Sequence, residues 1–458
     1  MRTNKSYILG LIYSFTSIFI FCEITINDNK ISLQPSFQLI TIFIVHLFLS
    51  GYIYISDKNN KNRNKIDKKF LIITIIISLS ILISSINSDH STESLKRTII
   101  ILLPTTIILI STSQIKDKNY FFDGFSMGII SVSSFSTAYS LIGLIQNQNY
   151  FGTYFDKSIT YNIFGIKFHQ EVAHREFMID GVRHYFQRYS GILPNSNGLG
   201  LISAISFGLS YNRIHKLFTR NTIRIMSIVG VIISFSRMGI LLFMCILLYM
   251  HIKSISKRRI ACGTAIFALF LFLTVAATLN KNLANTSDLL FFQHLEFFQL
   301  RERASLFADA WQGFSANWLT GVGYGVGAEY LFGENAATQA VHSVFLNTLL
   351  EIGLIGTILL VVLWLIPVFA NNEPRSEANR SENRSQVIAA ILFGLFIAEA
   401  FDLSVTRFHY IHLIFFFLLG IWSSLRQEAK DAAAENVQNA ETQQLSSTTV
   451  EPNRGTDN

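Results

Sequence analysis

Long apolar stretches recur along the whole chain, and they constrain its fold more than any other feature. Each is roughly 15–25 residues long and nearly free of charge, which is the length that a helix needs to cross a membrane. Backbone polar groups inside a membrane must bond to one another, and a helix achieves this within one segment. The sequence therefore predicts an all-α integral membrane protein with about 12 transmembrane helices.

The composition agrees with a membrane protein. Half of the 458 residues are hydrophobic and 15% are charged, which is far from the average of soluble enzymes. The three cysteines lie in apolar stretches without ligand spacing, so the sequence predicts neither a disulfide framework nor a metal site. The predicted spans are residues 6–24, 36–56, 70–86, 98–112, 121–145, 191–211, 222–236, 238–252, 260–279, 348–370, 387–403 and 408–425.

Lysine and arginine are concentrated in alternate loops between these spans. The basic segments are residues 1–5, 57–69, 113–120, 212–224, 251–259 and 371–386, which together hold more than half of the 37 lysines and arginines. Short cytoplasmic loops collect basic residues, so these segments and both termini are predicted to be cytoplasmic. The net charge of +7 thus reflects topology, and no soluble basic domain points to a nucleic-acid partner.

Two long loops fall on the opposite, extracytoplasmic side and divide the chain into four predicted regions. Residues 1–145 form an N-terminal five-helix transmembrane region, and residues 146–190 form the first of these loops. Residues 191–425 form a transmembrane core that includes the second loop, at 280–341. Residues 426–458 are rich in Ala, Gln, Asn, Ser and Thr, a composition that predicts a disordered cytoplasmic tail.

Arg237 is the one charge within the apolar stretch VGVIISFSRMGILLF at residues 229–243. A charged group at the centre of a bilayer costs several kcal/mol. Basic clusters precede and follow this stretch, at residues 213–224 and 253–259. One long helix would place one of these clusters on the wrong side, so we predict a helical hairpin with SFSRMG at its tip and Arg237 at the outer surface.

The second long loop contains a helical pattern followed by glycines. In LEFFQLRERASLFADAWQGF, residues 295–314, the apolar positions repeat at helical spacing. The stretch LTGVGYGVG at 319–327 has four glycines, which let a backbone bend closely around a ligand. We therefore predict a helix followed by a glycine-rich turn.

Three stretches predicted on the outer side form a combination of motifs. They are RYSGILPNSNGLG at 188–200, SFSRMG at 234–239 and VHSVFLNTLLEIGLIG at 341–356. In their order and spacing, and together with the loop helix and glycine-rich turn, they resemble the O-antigen ligase and O-antigen polymerase superfamily of bacterial membrane proteins. The residues that carry the resemblance are Arg188, Gly191, Asn195, Asn197, Ser234, Ser236, Arg237, Arg303, Trp311, Gly321, Gly323, His342, Glu351 and Gly353.

The resemblance implies a GT-C-like membrane glycosyltransferase that needs no metal and no cofactor. Such enzymes take a glycan from undecaprenyl diphosphate and transfer it, with inversion, to a hydroxyl of an acceptor sugar. Arg188 and Arg237 are the predicted catalytic cations, since arginine stays charged and binds phosphate oxygens as a fork. His342 is the predicted base, because an imidazole can take a proton near neutral pH.

The resemblance further marks five predicted substrate-binding residues, namely Asn195, Asn197, Arg303, Trp311 and Glu351. Most of the site residues also have a structural interpretation. An arginine at a helix tip can extend to lipid headgroups, and a histidine before a helix can serve only in capping. Glu351 can orient His342 or hold the adjoining helix, and Arg303 and Trp311 can pack the loop.

The resemblance implies a protein of the bacterial inner membrane with its active site facing the periplasm. We predict an O-antigen or surface polysaccharide polymerase, with an O-antigen ligase that joins the glycan to the lipid A core as the alternative. A lipid-linked sugar flippase is a third alternative, disfavoured because the informative residues gather at one face instead of the midplane. The predicted partners are the lipid-linked donor, an acceptor glycolipid, the membrane, and chain-length regulator or flippase proteins.

Overall fold

The computed structural model describes most of the predicted membrane-spanning core. The described residues are 5–19, 24–26, 29–31, 68–113, 115, 117–146, 159–163, 166–170, 172–179, 182–212, 217–252, 254, 256–269, 300–333, 341–370, 380–401 and 411–427. The predicted span at 36–56 and the predicted tail beyond residue 427 lie outside the described residues.

Helices dominate the described residues. In chain order they are α1 (Lys5–Phe19), α2 (Lys68–Ile86), α3 (Ser91–Ser113), α4 (Lys118–Gln146), α5 (Ser196–Leu209), α6 (Leu217–Ser234), α7 (Arg237–His251), α8 (256–269), α9 (Leu300–Ala316), α10 (Gly327–Phe332), α11 (Val344–Phe369), α12 (Arg380–Glu399) and α13 (Ile411–Gln427). A helix is present at each predicted span that falls within the described part of the chain.

Length and composition single out two of these helices as able to cross a membrane. They are Lys118–Ile145 in α4 and Val344–Phe369, which is α11. Shorter apolar helices occur at Leu71–Ile86, Ser196–Leu209, Arg237–His251 and Ile411–Gln427. The number of spans and their orientation therefore stay predictions.

The all-α prediction is incomplete, because two small antiparallel sheets accompany the helices. The strands are β1 (Ile24–Ile26), β2 (Asn29–Ile31), β3 (Ile159–Ile163), β4 (Ile166–Gln170), β5 (Val172–Ile179) and β6 (Val182–Tyr189). One sheet has the order β2-β1-β4-β3, and β5 pairs with β6. The sequences ITYNI and IKFHQ mix β-branched, aromatic and polar residues, as strands do, within a segment predicted only as a loop.

The four-stranded sheet joins two distant parts of the chain. β1 pairs with β4 in the register Ile24 to Phe168, Thr25 to Lys167 and Ile26 to Ile166. The segment that follows α1 therefore lies beside the segment that follows α4. β6 then leads through Tyr189 directly to the turn before α5.

Glycines let the helices of the N-terminal region approach closely. A Cβ added at Gly10 would lie 2.1 Å from the carbonyl oxygen of Phe121, and one at Gly124 would lie 2.0 Å from that of Tyr7. Small residues allow such backbone contact between membrane helices, where packing replaces the hydrophobic effect as the driving force. α1 and the N-terminal part of α4 thus approach to backbone contact.

The helices of the core share one end, which carries the predicted site. Gly200 near the start of α5 packs against Ser236 and Gly239 at the start of α7, so these two helices run parallel. α12 runs antiparallel to α7, with Gly394 against Leu242 and Cys245. We call the end at which α5 and α7 begin the site end of the bundle.

A buried ion pair lies at the opposite end of the bundle. The guanidinium of Arg384 in α12 donates to both carboxylate oxygens of Asp123 in α4, at 2.9 and 2.8 Å, and to Asn119 Oδ1 at 2.6 Å. The two charged side chains are 3% and 10% exposed. Asn212, just after α5, also donates to Asp123 at 3.2 Å. The cluster therefore fastens three helices at one point.

We expect Arg384→Ala to destabilise the protein by about 3–5 kcal/mol, because it leaves the Asp123 carboxylate buried without its cation. The measurement is the melting temperature of the protein purified in detergent. The matched control is Lys257→Ala, which removes a cation from an exposed position of α8 and should leave the melting temperature unchanged. Equal melting temperatures for the two variants would contradict a structural role of the pair.

Candidate functional site

The stretch that precedes α5 makes a tight turn against α4. Gly191 has φ +64°, and a Cβ there would lie 2.5 Å from the carbonyl oxygen of Ser136. Only glycine fits this combination of left-handed backbone and close approach. Asn195 then caps α5, because its side chain accepts from the N–H of Gly198 at 2.7 Å. The helix starts at Ser196, five residues later than the predicted span at 191–211.

Arg188 bonds both within its own stretch, 188–200, and to the hairpin stretch at 234–239. Its Nη2 donates to Asn197 Oδ1 at 2.5 Å, and its Nε donates to the carbonyl oxygen of Ser234 at 3.2 Å. Asn197 Oδ1 also accepts from the hydroxyl of Ser236 at 3.2 Å. Two of the three predicted stretches therefore meet in one hydrogen-bonded cluster, and Arg188 is held partly buried within it.

The predicted hairpin with Arg237 at its tip is confirmed. α6 ends at Ser234, and α7 begins at Arg237. Phe235 has φ +44°, which is rare for a bulky residue and reverses the chain. Ser236 caps α7 by accepting from the N–H of Gly239 at 3.2 Å. Arg237 is thus the first residue of its helix, partly buried, next in sequence to a serine that bonds to Asn197.

His342 stands before its helix in the same way. It has φ +54° and is partly buried, and Ser343 after it caps α11 by accepting from the N–H of Leu346 at 3.5 Å. Non-glycine residues in this conformation are strained by about 1–3 kcal/mol, and they cluster at functional sites. In both motifs, therefore, a residue with left-handed backbone is followed directly by the serine that caps the next helix.

α11 is broken at Gly353, which has φ +69° and ψ −173°. The rings of Phe345 and Trp364 have centroids 6.1 Å apart, whereas a straight helix would separate these residues by roughly 28 Å. An apolar cavity is lined from both sides of the break, by Val344 and Thr348 as well as by Leu363 and Trp364. The first part of α11 therefore folds back along the second, so the helix at the predicted span 348–370 is interrupted at Gly353.

The glycine-rich turn fills this break. The N–H of Val322 donates to the carbonyl oxygen of Leu350 at 2.9 Å, and the N–H of Gly323 donates to that of Glu351 at 3.1 Å. The N–H of Leu354 donates in the other direction, to the carbonyl oxygen of Trp318 at 2.9 Å. A break inside a helix frees backbone groups that need partners, and residues 318–323 supply them.

Glu351 holds this turn with its side chain. The side chain is buried, and its Oε1 accepts from the N–H of Gly327 at 3.3 Å, at the start of α10. The hydroxyl of Ser84 donates to the Glu351 carbonyl oxygen at 2.5 Å. These contacts match the predicted alternative of holding an adjoining element, while substrate binding by Glu351 stays a prediction.

The predicted loop helix is present as α9. The structure describes the side chain of one of its two candidate residues, Trp311, but not that of the other, Arg303. Trp311 is 36% exposed and packs near Phe314, with ring centroids 5.4 Å apart. Arg303 lies in the first turn of α9, and its side chain falls outside the described residues. The helix is held to α11 through Gly313, which faces Leu350. A role of either residue in substrate binding stays a prediction.

The start of α11 lies toward the site end of the bundle. Phe345 stacks near Phe396 in α12, with ring centroids 4.6 Å apart. Phe396 is within one turn of Glu399, the last residue of α12, and α12 is antiparallel to α7. The segment that carries His342 thus belongs to the same end of the bundle as the cluster of Arg188 and Asn197.

Sequence reasoning missed the contribution of the α2–α3 hairpin, which we define as residues 84–97. Ser84, Ser88, Ser94 and Arg97 from this hairpin all bond to backbone carbonyls of the glycine-rich turn or of α11. Serines in an apolar helix carry no functional signal of their own. The only available sign was a pair of basic residues, Lys96 and Arg97, on the side predicted to be poor in them.

Helix starts and arginines together make the site end attractive to anions. α5 and α7 begin there, and the N-terminus of a helix carries partial positive charge from unpaired N–H groups. The Arg97 guanidinium holds the pKa of the Glu93 carboxyl below its usual range, so this acid remains an ionised partner of Arg97.

Among the described residues, no group of three or more His, Cys, Asp or Glu side chains could hold a metal ion.

The protein is largely helical among the described residues. Arg237 begins one apolar helix, His342 precedes a broken one, and Arg188 bonds to Asn197 near the start of a third. Residues 223–361 match a family model described as O-antigen ligase. The match confirms the predicted resemblance and supports a membrane-bound glycosyltransferase of the O-antigen ligase and polymerase type. No curated protein matched the chain.

The matched segment contains only part of the predicted site. Arg237, Arg303, Trp311, His342 and Glu351 lie inside it. The remaining predicted residues, Arg188, Asn195 and Asn197, precede it. The cluster described above connects Arg188 and Asn197 to the matched hairpin, whereas Asn195 caps α5.

We expect Gly353→Ala to lower the melting temperature of the purified protein. An added Cβ would lie 2.3 Å from the carbonyl oxygen of Leu319, and the left-handed backbone alone costs a non-glycine residue about 1–3 kcal/mol. The matched control is Gly263→Ala in α8, where an added Cβ meets no described atom within 4 Å. If both variants melted at the wild-type temperature, the break at Gly353 would not be part of the folded protein.

Proposed function

We propose that this protein transfers a glycan from undecaprenyl diphosphate to a hydroxyl of an acceptor sugar, as an O-antigen or surface polysaccharide polymerase. The observation that carries the proposal is the cluster in which Asn197 bonds to both Arg188 and Ser236. This cluster fixes one cation and places the start of α7, with Arg237, beside it. A diphosphate leaving group needs such preorganised positive charge.

In the proposed reaction the acceptor hydroxyl gives its proton to His342. Its oxygen then attacks the anomeric carbon of the donor sugar, and the bond from that carbon to the diphosphate oxygen breaks. Attack from the side opposite the leaving group inverts the configuration. The diphosphate keeps the electron pair of the broken bond, and Arg188 and Arg237 stabilise the charge that develops on it.

The location we propose is the bacterial inner membrane, with the site end facing the periplasm. The concentration of lysine and arginine in alternate predicted loops supports this orientation. The pairing of β1 with β4 is consistent with the predicted alternation of loops, because it requires the segments after α1 and after α4 to lie on one common side. A diphosphate-linked donor in the outer leaflet would then present its headgroup near the arginines.

The acceptor distinguishes the proposed polymerase from a ligase. We infer that strands β3 to β6, the last of which contains Arg188, help to hold a lipid-linked acceptor glycan. In the ligase alternative the acceptor is the lipid A core. Both alternatives use the same donor, the same cations and the same base.

We expect His342→Ala and Arg237→Ala each to lower glycan transfer by about 10²-fold or more. The measurement is a gel of surface glycan and carrier-linked glycan from a host deletion strain that is complemented with each variant at equal expression. The matched controls are His251→Ala, at the exposed far end of α7, and Lys257→Ala.

The pattern on the gel separates the alternatives. A single repeat unit on the lipid A core would indicate a lost polymerase, and long chains left on the lipid carrier would indicate a lost ligase. Wild-type glycan from both site variants would refute the proposed catalytic roles of His342 and Arg237.

A further inference from the structure

The α2–α3 hairpin bonds to three backbone carbonyl groups of the glycine-rich turn. The hydroxyl of Ser88 donates to the carbonyl oxygen of Val322 at 2.6 Å, and that of Ser94 donates to the carbonyl oxygen of Tyr324 at 2.9 Å. Both residues precede the segment that matches the family model. The N-terminal region of the chain therefore contacts the backbone of the matched loop directly.

Arg97 makes the most extensive of these contacts. Its Nη1 donates to the carbonyl oxygen of Gly325, its Nη2 to Glu329 Oε1 at 2.6 Å, and its Nε to Glu93 Oε1 at 3.0 Å. One guanidinium thus joins α3, the glycine-rich turn and α10. A planar fork of five N–H donors suits three partners in different directions, whereas the single ammonium of lysine does not.

Two glycines of the turn pack directly against the α2–α3 hairpin. Gly325 has φ +75°, and a Cβ there would lie 2.9 Å from Arg97 Cδ. Gly323 has φ +117°, and a Cβ there would lie 2.4 Å from the hydroxyl of Ser88. The backbone of the turn therefore has no room to shift toward α3 and is fixed in one position by these contacts.

The position of the turn sets the position of His342. Val322 and Gly323 occupy the break in α11, and the break sets the direction of its first half, Val344–Ile352. His342 and Ser343 lead directly into that half. Moving a catalytic group by about 1 Å can cost about 10²-fold in rate, so a contact that fixes the turn also acts on the proposed base.

We propose that Arg97 is a positioning residue for the proposed glycan transfer: it fixes the glycine-rich turn, and through the broken helix α11 it aligns His342. This inference rests on the function proposed above. The ion pair itself contributes little to folding stability, because the Arg97 and Glu329 side chains are 34% and 32% exposed. We therefore expect a substitution of Arg97 to lower the turnover rate more than the folding stability.

The test is a turnover assay with the full-length protein in detergent or nanodiscs. The substrate is the lipid-linked glycan extracted from the host deletion strain, and the readouts are kcat, KM and melting temperature. We expect Arg97→Ala to lower kcat by about 10- to 100-fold, with KM within about twofold and the melting temperature nearly unchanged. Arg97→Lys should recover part of kcat, because it keeps the charge opposite Glu329.

The matched control is Lys96→Ala, which removes the neighbouring cation from a side chain that is 66% exposed and paired only with Glu93 in the contacts described. It should leave kcat and KM unchanged. An unchanged kcat for Arg97→Ala would overturn the inference. So would an equal loss in Lys96→Ala, or a loss of kcat that only matches a loss of folded protein.

His342→Ala and Arg237→Ala in the same assay separate the two proposals. If these variants are inactive while Arg97→Ala retains the wild-type kcat, the proposed function stands and the positioning role is overturned. If all three variants retain the wild-type kcat, the proposed function fails and the inference fails with it.

Discussion

The structure depends on the hydrogen bonds that a glycine-rich turn makes inside a broken helix. Breaking α11 at Gly353 frees carbonyl groups at Leu350 and Glu351, and an apolar environment leaves them no water to bond. Val322 and Gly323 donate to them, and the Ser84 hydroxyl also donates to the Glu351 carbonyl, so residues 318–323 and the α2–α3 hairpin together stabilise the break. The loop and the helix are therefore one structural unit, and His342 depends on both.

A second unit connects the N-terminal half of the site to the hairpin between α6 and α7. Asn197 uses a single side-chain oxygen to accept from Arg188 and from Ser236. Both serine caps, Ser236 and Ser343, follow a residue in the left-handed conformation. Arg237 thus begins one helix and His342 precedes another through the same local arrangement of a left-handed residue and a serine cap.

Much of the fold and part of the site could be predicted from local patterns. The apolar stretches predicted helices at α4 and α11, the basic flanks predicted the hairpin at Arg237, and helical spacing predicted α9. The strands between residues 159 and 189 were missed. β3 pairs with β4 and β5 with β6 as local hairpins, and only the pairing of β4 with β1 joins segments more than a hundred residues apart. The contacts of Arg97 were missed because its partners Gly325 and Glu329 are remote in sequence.

The sequence by itself determined that this protein is helical and apolar, which motifs it carries, and where its charges interrupt apolar stretches. These properties depend on residues close together in the chain, so their patterns can be read directly. Only the tertiary structure decided that α11 reverses at Gly353, that Asn197 joins two motifs, and that the α2–α3 hairpin holds the glycine-rich turn. Each of these depends on backbone groups finding partners in distant segments, which no local pattern specifies.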